Sequence, residues 1–166
     1  MGSPADLVDH LREQDATVAT AESLTGGRLA ARLTGVPGSS AVFAGGVVSY
    51  HTEVKVDVLG VAQDTVDEHG VVSTECAREM AAGVRRLLGT TYAVSTTGVA
   101  GPERQEGKPV GTVFVGVAGP HEVRAVELDL DGDRPTVQEA SVDAALSALA
   151  DMIASDSQPA EDPGLG

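Results

Sequence analysis

The 166-residue chain is poor in lysine, in aromatic side chains and in cysteine. Lys55 and Lys108 are its only lysines. One cysteine, Cys76, excludes an intramolecular disulfide and a zinc cluster built from thiolates. It falls at an apolar position of a predicted helix and reads as a buried core thiol. The aromatics are Phe43, Tyr50, Tyr92 and Phe114, with no tryptophan. A core must therefore come from Val, Leu and Ala, as in α/β proteins with buried Val-rich strands. No apolar run is long enough to span a bilayer. The start, "MGSPADLVDHL", lacks the basic segment and apolar stretch of a secretion signal. The expectation is a cytoplasmic protein.

Positive charge is scarce as well. There are 25 acidic residues against 11 Lys and Arg, giving a net charge of -14. Such a surface repels phosphate backbones and anionic lipid, so neither nucleic acid nor membrane is an expected partner. A small anionic ligand stays open, because backbone N–H groups and one or two local cations can hold it.

What is present alternates between strand and helix. Residues 4–14 have Leu7, Val8 and Leu11 at helical spacing, and "TVATAE" (17–22) reads as a strand. "GRLAARLTG" is a helix stopped by Gly35 and Pro37. "AVFAGGVVSY" (41–50) is a strand in which Gly45 and Gly46 mark a bulge or a close approach. Thr52 is placed as the cap of a short helix over 53–59, closed by Gly60. Ser73 caps a helix over 74–88 whose buried stripe is expected to be Cys76, Met80, Val84, Leu87 and Leu88. "YAVSTTG" (92–98) is a strand, and 99–109 a loop rich in Gly, Pro and charge. Strands over 110–119 and 123–130 make an antiparallel hairpin. Asp133 caps a last helix to about 154, with Pro135 in its first turn. The order predicts a three-layer α/β/α sandwich with a mixed, mostly parallel sheet. One domain spans 1–154, and 155–166 reads as a disordered acidic tail.

Four stretches can carry chemistry. In "TAESLTGGRLA" (20–30) a strand ends at Glu22 and Ser23, and a helix opens past Thr25, Gly26 and Gly27. Ligands of open α/β sheets bind at such strand ends. A hydroxyl there can be a nucleophile, with helix-start N–H groups holding an oxyanion or a phosphate. The plainer alternative is a Ser or Thr cap, with glycines serving the turn. In "SYHTEVKVDVLG" (49–60), Lys55 can activate a hydroxyl if a dry pocket lowers its pKa. Otherwise it is an exposed helix lysine. In "STTGVAGPERQEGKPVGT" (95–112), Thr96, Thr97 and the Gly98 amide can line a phosphate or carbonyl site. Lys108 is either a surface lysine or a cation for a ligand phosphate. In "DGDRPTVQEA" (131–140), Arg134 either reaches an anion or pairs with nearby carboxylates.

Taken in order, "TAESLTGG", "GGVVSYHTEVKVDVLGV", "STTGVAGP" with "KPVGTVFV", and "GDRPTV" resemble the C-terminal domain of the CinA family. The likeness is to its stand-alone form, the PncC-type nicotinamide-nucleotide amidases, and runs from about residue 4 to about 154. It implies a five-stranded mixed sheet and no N-terminal molybdopterin-binding-like domain. It implies hydrolysis of the carboxamide of nicotinamide mononucleotide to nicotinate mononucleotide and ammonia, without metal or organic cofactor. On this resemblance the catalytic residues are Ser23 as nucleophile, Lys55 as base, Tyr50 and Thr97. The substrate contacts are Glu22, Thr25, Gly26, Gly27, Gly98, Lys108 and Arg134. N–H groups from Thr25 to Gly27, or at Gly98, would hold the oxyanion. A homodimer fits a small enzyme with an exposed sheet.

The chain departs from the family pattern in three places. His51 and Thr52 stand in a frequent Ser-Asn, Gln138 stands where arginine is common, and Leu24 replaces a frequent cysteine. Two other readings use the same pocket: a non-catalytic nucleotide-binding or regulatory module, and a serine hydrolase of another small amide.

Overall fold

The computed structural model describes residues 2–158. Ser3 opens the first helix, α1 (Pro4–Glu13), through a capping box with Asp6. The strand β1 (Val18–Glu22) follows, then helix α2 (Arg28–Thr34) and a short 3₁₀ turn, Ser39–Ala41. Strand β2 (Phe43–Val48) leads to helix α3 (Thr52–Asp57), helix α4 (Gln63–His69) and the long helix α5 (Thr74–Leu88). Strands β3 (Tyr92–Gly98), β4 (Thr112–Ala118) and β5 (Val123–Asp129) come next, and helix α6 (Arg134–Ser157) ends the described chain.

The five strands form one sheet in the order β2-β1-β3-β4-β5. β1 pairs parallel with β2 and β3, while β4 pairs antiparallel with β3 and β5. Four strands thus run one way and β4 alone is reversed. Both faces are covered, as the buried runs of β1 and β3 require. α1, α2 and α6 pack on one face around Val18, Val94, Val115 and Val117. α5, with the segment around Leu59 and Val61, covers the other.

The two faces differ in side-chain size, and that sets the layer spacing. Toward α5 the central strands present Ala19, Ala21, Ala93, Ser95, Gly116 and Ala118. Small residues let α5 approach until the Ser95 hydroxyl donates to the Ala77 carbonyl at 2.6 Å. Gly83 continues the close packing on α5's other side, where an added Cβ would meet the Leu59 backbone. That contact fixes the segment carrying α3, and with it Lys55.

Four local expectations change. His51, not Thr52, occupies the cap position of α3, and its side chain makes no capping bond. Its extended backbone lets its carbonyl take the N–H groups of Val54 and Lys55. α4 lies in a stretch that periodicity leaves unassigned. Leu87 and Leu88 are 51% and 38% exposed instead of buried, and the α5 stripe is completed by Ala77, Ala81 and Gly83. Leu88 reaches toward Gly45 of β2. α6 continues to Ser157, and the rest of the expected tail, from residue 159, lies outside the described residues. In β2 the expected close approach is met at Gly46, where an added Cβ would run into Thr20 of β1, and the bulge beside it falls at Ala44, skipped between the pairs Val18–Phe43 and Ala19–Gly45. Among the described residues no helix is long and apolar enough to cross a membrane.

Gly83→Ala should lower unfolding stability by about 1–3 kcal/mol, because the new methyl has backbone on the far side and no soft side chain to displace. Urea unfolding measures this, and an unchanged midpoint would contradict the close packing of α5 on Leu59.

Candidate active site

β1 and β3 lie side by side and parallel, so their carboxyl ends open together at the centre of one sheet edge. A cavity of about 530 Å³ lies there, within the roughly 300–1,000 Å³ range of small-ligand sites. Ser23, the first residue after β1, lines it. Its N–H donates to the Thr96 carbonyl at 3.0 Å, and its carbonyl accepts from Gly26 N–H at 3.1 Å. The chain then turns through Gly26 and Gly27 at φ 55° and 101°, left-handed values that favour glycine.

Lys55 enters from the α5 side and is only 1% exposed. Its Nζ stands 3.0 Å from Ser23 Oγ and donates to the Ser49 carbonyl at 2.5 Å. Ser49 is itself tied to β1: its N–H and hydroxyl both donate to the Glu22 carbonyl, at 2.7 and 3.1 Å. No carboxylate pairs with the ammonium among the described residues. Burial therefore pushes the Lys55 pKa below the ordinary lysine value, against opposing contributions from Cys76 and Glu106. Burial drives the Cys76 thiol the other way, up to about 12, so it is neutral at physiological pH. A hydroxyl and a desolvated amine in hydrogen-bond contact have the geometry from which a nucleophile–base pair can be built.

Several expected ligand contacts serve other ends. Glu22 is buried beneath the turn: its carboxylate accepts from the Thr25 hydroxyl at 2.7 Å and from the N–H groups of Gly27, Leu29 and Ala30 at 3.2, 2.8 and 3.1 Å. Of the helix-start donors expected to meet a ligand, the Gly27 N–H is thus already satisfied, while the Thr25 N–H has no acceptor among the described residues. Thr25 is fully buried and also bonds Thr96 at 2.7 Å between hydroxyls. Gly26 and Gly27 N–H groups are both engaged, which removes them as oxyanion donors. Leu24, Ala100 and Gly101 line the cavity, and their N–H groups have no acceptor among the described residues.

Gly98 lines the cavity, but its lack of a side chain serves a close approach to Thr112 and Val113 of β4. Thr97 also lines it, yet its buried hydroxyl donates to the Val71 carbonyl at 2.7 Å. Lys108 is outside the lining. Its ammonium bonds the Val72 carbonyl and lies 5.9 Å from the centre of the Phe114 ring. Tyr50 and Arg134 meet at the rim. Arg134 donates to the Tyr50 hydroxyl at 2.7 Å and to the Gly101 carbonyl at 2.6 Å, not to a carboxylate. Tyr50 is 57% exposed, a place for contacting a ligand ring more than for relaying a proton to Ser23. Gln138, in place of the frequent arginine, is buried and donates to the Leu24 carbonyl at 2.9 Å.

Charge is concentrated here. Lys55, Arg104 and Arg134 line the cavity against one carboxylate, Glu103, in a chain with 11 Lys and Arg and 25 acidic residues. Sequence reading passed over Ser49, Arg104 and Glu106. Ser49 shares a stretch with Lys55, but nothing in its residue type announces a carbonyl that receives an ammonium. No cluster of His, Cys, Asp and Glu fit for a metal ion occurs among the described residues.

The family model described as the CinA C-terminal domain matches residues 3–153. A CinA-like protein of Frankia casuarinae is 52% identical over 144 residues, covering 87% of this chain and 33% of that protein. A CinA-like protein of Salinibacter ruber is 50% identical over 143 residues, covering 86% of this chain and 35% of that protein. The chain thus spans about a third of the length of these curated relatives. The crystal structure of a CinA superfamily protein from Klebsiella pneumoniae superposes with a TM-score of 0.88 at 33% identity, covering 92% of this chain and 96% of that one.

Lys55 titration should be visible in stability. Its folded pKa lies below the ordinary 10.5, so between the two values the unfolded chain binds more protons and stability rises with pH. Relative to Lys55→Met, the wild type should gain stability as pH rises through that window, in total by about 1.4 kcal/mol per unit of depression. Urea unfolding of both proteins from pH 7 to 10.5 measures it. A difference that stays flat would place the ammonium in a solvated setting.

Proposed function

Because the chain belongs to the CinA C-terminal domain family, we propose that it hydrolyses the carboxamide of nicotinamide mononucleotide, releasing nicotinate mononucleotide and ammonia. The observation that carries this reading is the 3.0 Å contact between Ser23 Oγ and the buried Lys55 Nζ, at the floor of a cavity rich in positive charge.

In this mechanism Ser23 Oγ attacks the carboxamide carbon while neutral Lys55 Nζ takes the hydroxyl proton. The carbonyl π electrons move onto oxygen, and the unengaged N–H groups of Leu24, Ala100 or Gly101 are its available donors. Lys55 then returns the proton to the leaving nitrogen, the C–N bond breaks and ammonia departs. Water adds to the resulting ester with Lys55 again as base, and Lys55 passes that proton to Ser23 Oγ as the C–O bond breaks and the acid leaves. In this reading Tyr50, exposed at the rim of the cavity, flanks the pyridine ring. Arg134, already oriented by Gly101 and Tyr50, can meet the phosphate, with Arg104 beside it.

Ammonia release from nicotinamide mononucleotide tests the reading directly. Ser23→Ala and Lys55→Met should each lower kcat/KM by at least about 10³-fold. Tight nucleotide binding without release by the wild type would select a non-catalytic binding module. Turnover of other amides but not this one would select a different hydrolase.

A further inference from the structure

Val71 and Val72, in the turn leading into α5, form part of the cavity wall. All four of their backbone polar groups are taken by side chains from one stretch, Thr97 to Lys108. Both N–H groups donate to the same Glu106 oxygen, at 2.8 and 3.1 Å. The Val71 carbonyl accepts from the Thr97 hydroxyl, and the Val72 carbonyl from the Lys108 ammonium. Buried backbone groups normally find partners in a helix or a ladder. Here a two-residue wall is held by side chains alone.

Glu106 is the unusual member. It occupies the first central position of a two-residue turn, at φ 53°, followed by Gly107 at φ 71° and closed by mutual bonds between Gln105 and Lys108. Both central φ values are positive, as in a type I′ turn, where Asn, Asp or Gly is favoured first. A glutamate there is sterically disfavoured and persists only when its surroundings hold it. The surroundings do. Gly70, at φ 74°, leaves room that a Cβ would take from the Glu106 carboxylate.

We propose that Glu106 is a positioning residue of the site: its carboxylate holds the Val71–Val72 stretch of the cavity wall in place. The proposal rests on reading Ser23 and Lys55, which line the same cavity, as the reacting pair.

In Glu106→Ala, amide exchange at Val71 and Val72 should quicken about tenfold, and less in Glu106→Gln, whose amide oxygen still accepts. With nicotinamide mononucleotide, KM should rise about fivefold or more in Glu106→Ala with a smaller change in kcat, and Glu106→Gln should recover most of that loss. Quickened exchange with an unchanged KM, where the wild type turns over, overturns the proposal, because Glu106 would then be a structural tie only. Unchanged exchange overturns it as well. If Glu106→Ala does not fold, exchange and KM in Glu106→Asp, whose carboxylate is one methylene shorter, decide. If the wild type releases no ammonia, the amidase reading fails separately, and amide exchange still decides whether Glu106 holds the wall.

Discussion

The Glu22 carboxylate sits at the end of β1 with no exposure to speak of and accepts bonds from the Thr25 hydroxyl and three N–H groups at the start of α2. A buried carboxylate is costly unless its oxygens are filled, and unfilled helix-start amides are costly in the same way. Each need answers the other, and together they fix the path of the turn between Ser23 and Leu29. Ser23 is held at the mouth of that turn by the adjacent strand. The Glu22 carbonyl extends the constraint sideways to Ser49, whose own carbonyl receives Lys55. One residue thus links the Ser23 turn to Lys55 without touching the cavity.

Lys55 answers to a different constraint. An isolated buried ammonium tends to lose its proton unless a partner charge holds it. The structure offers it a carbonyl and a hydroxyl, but no carboxylate in contact. That arrangement lowers the pKa of the amine, the direction that the proposed base role requires. Arginine could fill the volume but could not give up its proton. The acidic surface, which would favour the ammonium, is kept away by the apolar layer of Leu59, Val61 and α5.

Much of the fold was legible in the sequence, because it follows from period and punctuation. The strand 92–98 and the helix 74–88, with Ser73 before it and Gly89 after, coincide with the observed elements. α4 was not legible: "QDTVDEH" has one apolar residue and no cap to announce it. Leu87 and Leu88 were misplaced because helical spacing shows which face is apolar, not where the opposing layer stops. In the site, residue type alone kept Ser23 and Lys55 as candidates, and it was the family resemblance that joined them across 32 positions. Roles decided by hydrogen-bond direction stayed hidden. Glu22, Thr25 and Lys108 have the chemistry of ligand contacts, and only their partners show other duties: Glu22 and Lys108 hold backbone, while the Thr25 hydroxyl bonds the Glu22 and Thr96 side chains.

The two lysines retained by this acidic chain share a geometry that explains their survival. Each ammonium points inward at a backbone carbonyl bordering the cavity: Lys55 at Ser49, Lys108 at Val72. A carbonyl without a nearby N–H partner needs a donor that can arrive from the side, and a compact ammonium on a long apolar stem does this while its methylenes pack. Lys108 adds the face of Phe114 beneath it. Surface lysines contribute little to stability and can be exchanged for other polar residues. These two differ, since the carbonyls they satisfy belong to the segments that shape the wall and the floor of one cavity. The scarcity of lysine elsewhere is thus what makes its two positions informative.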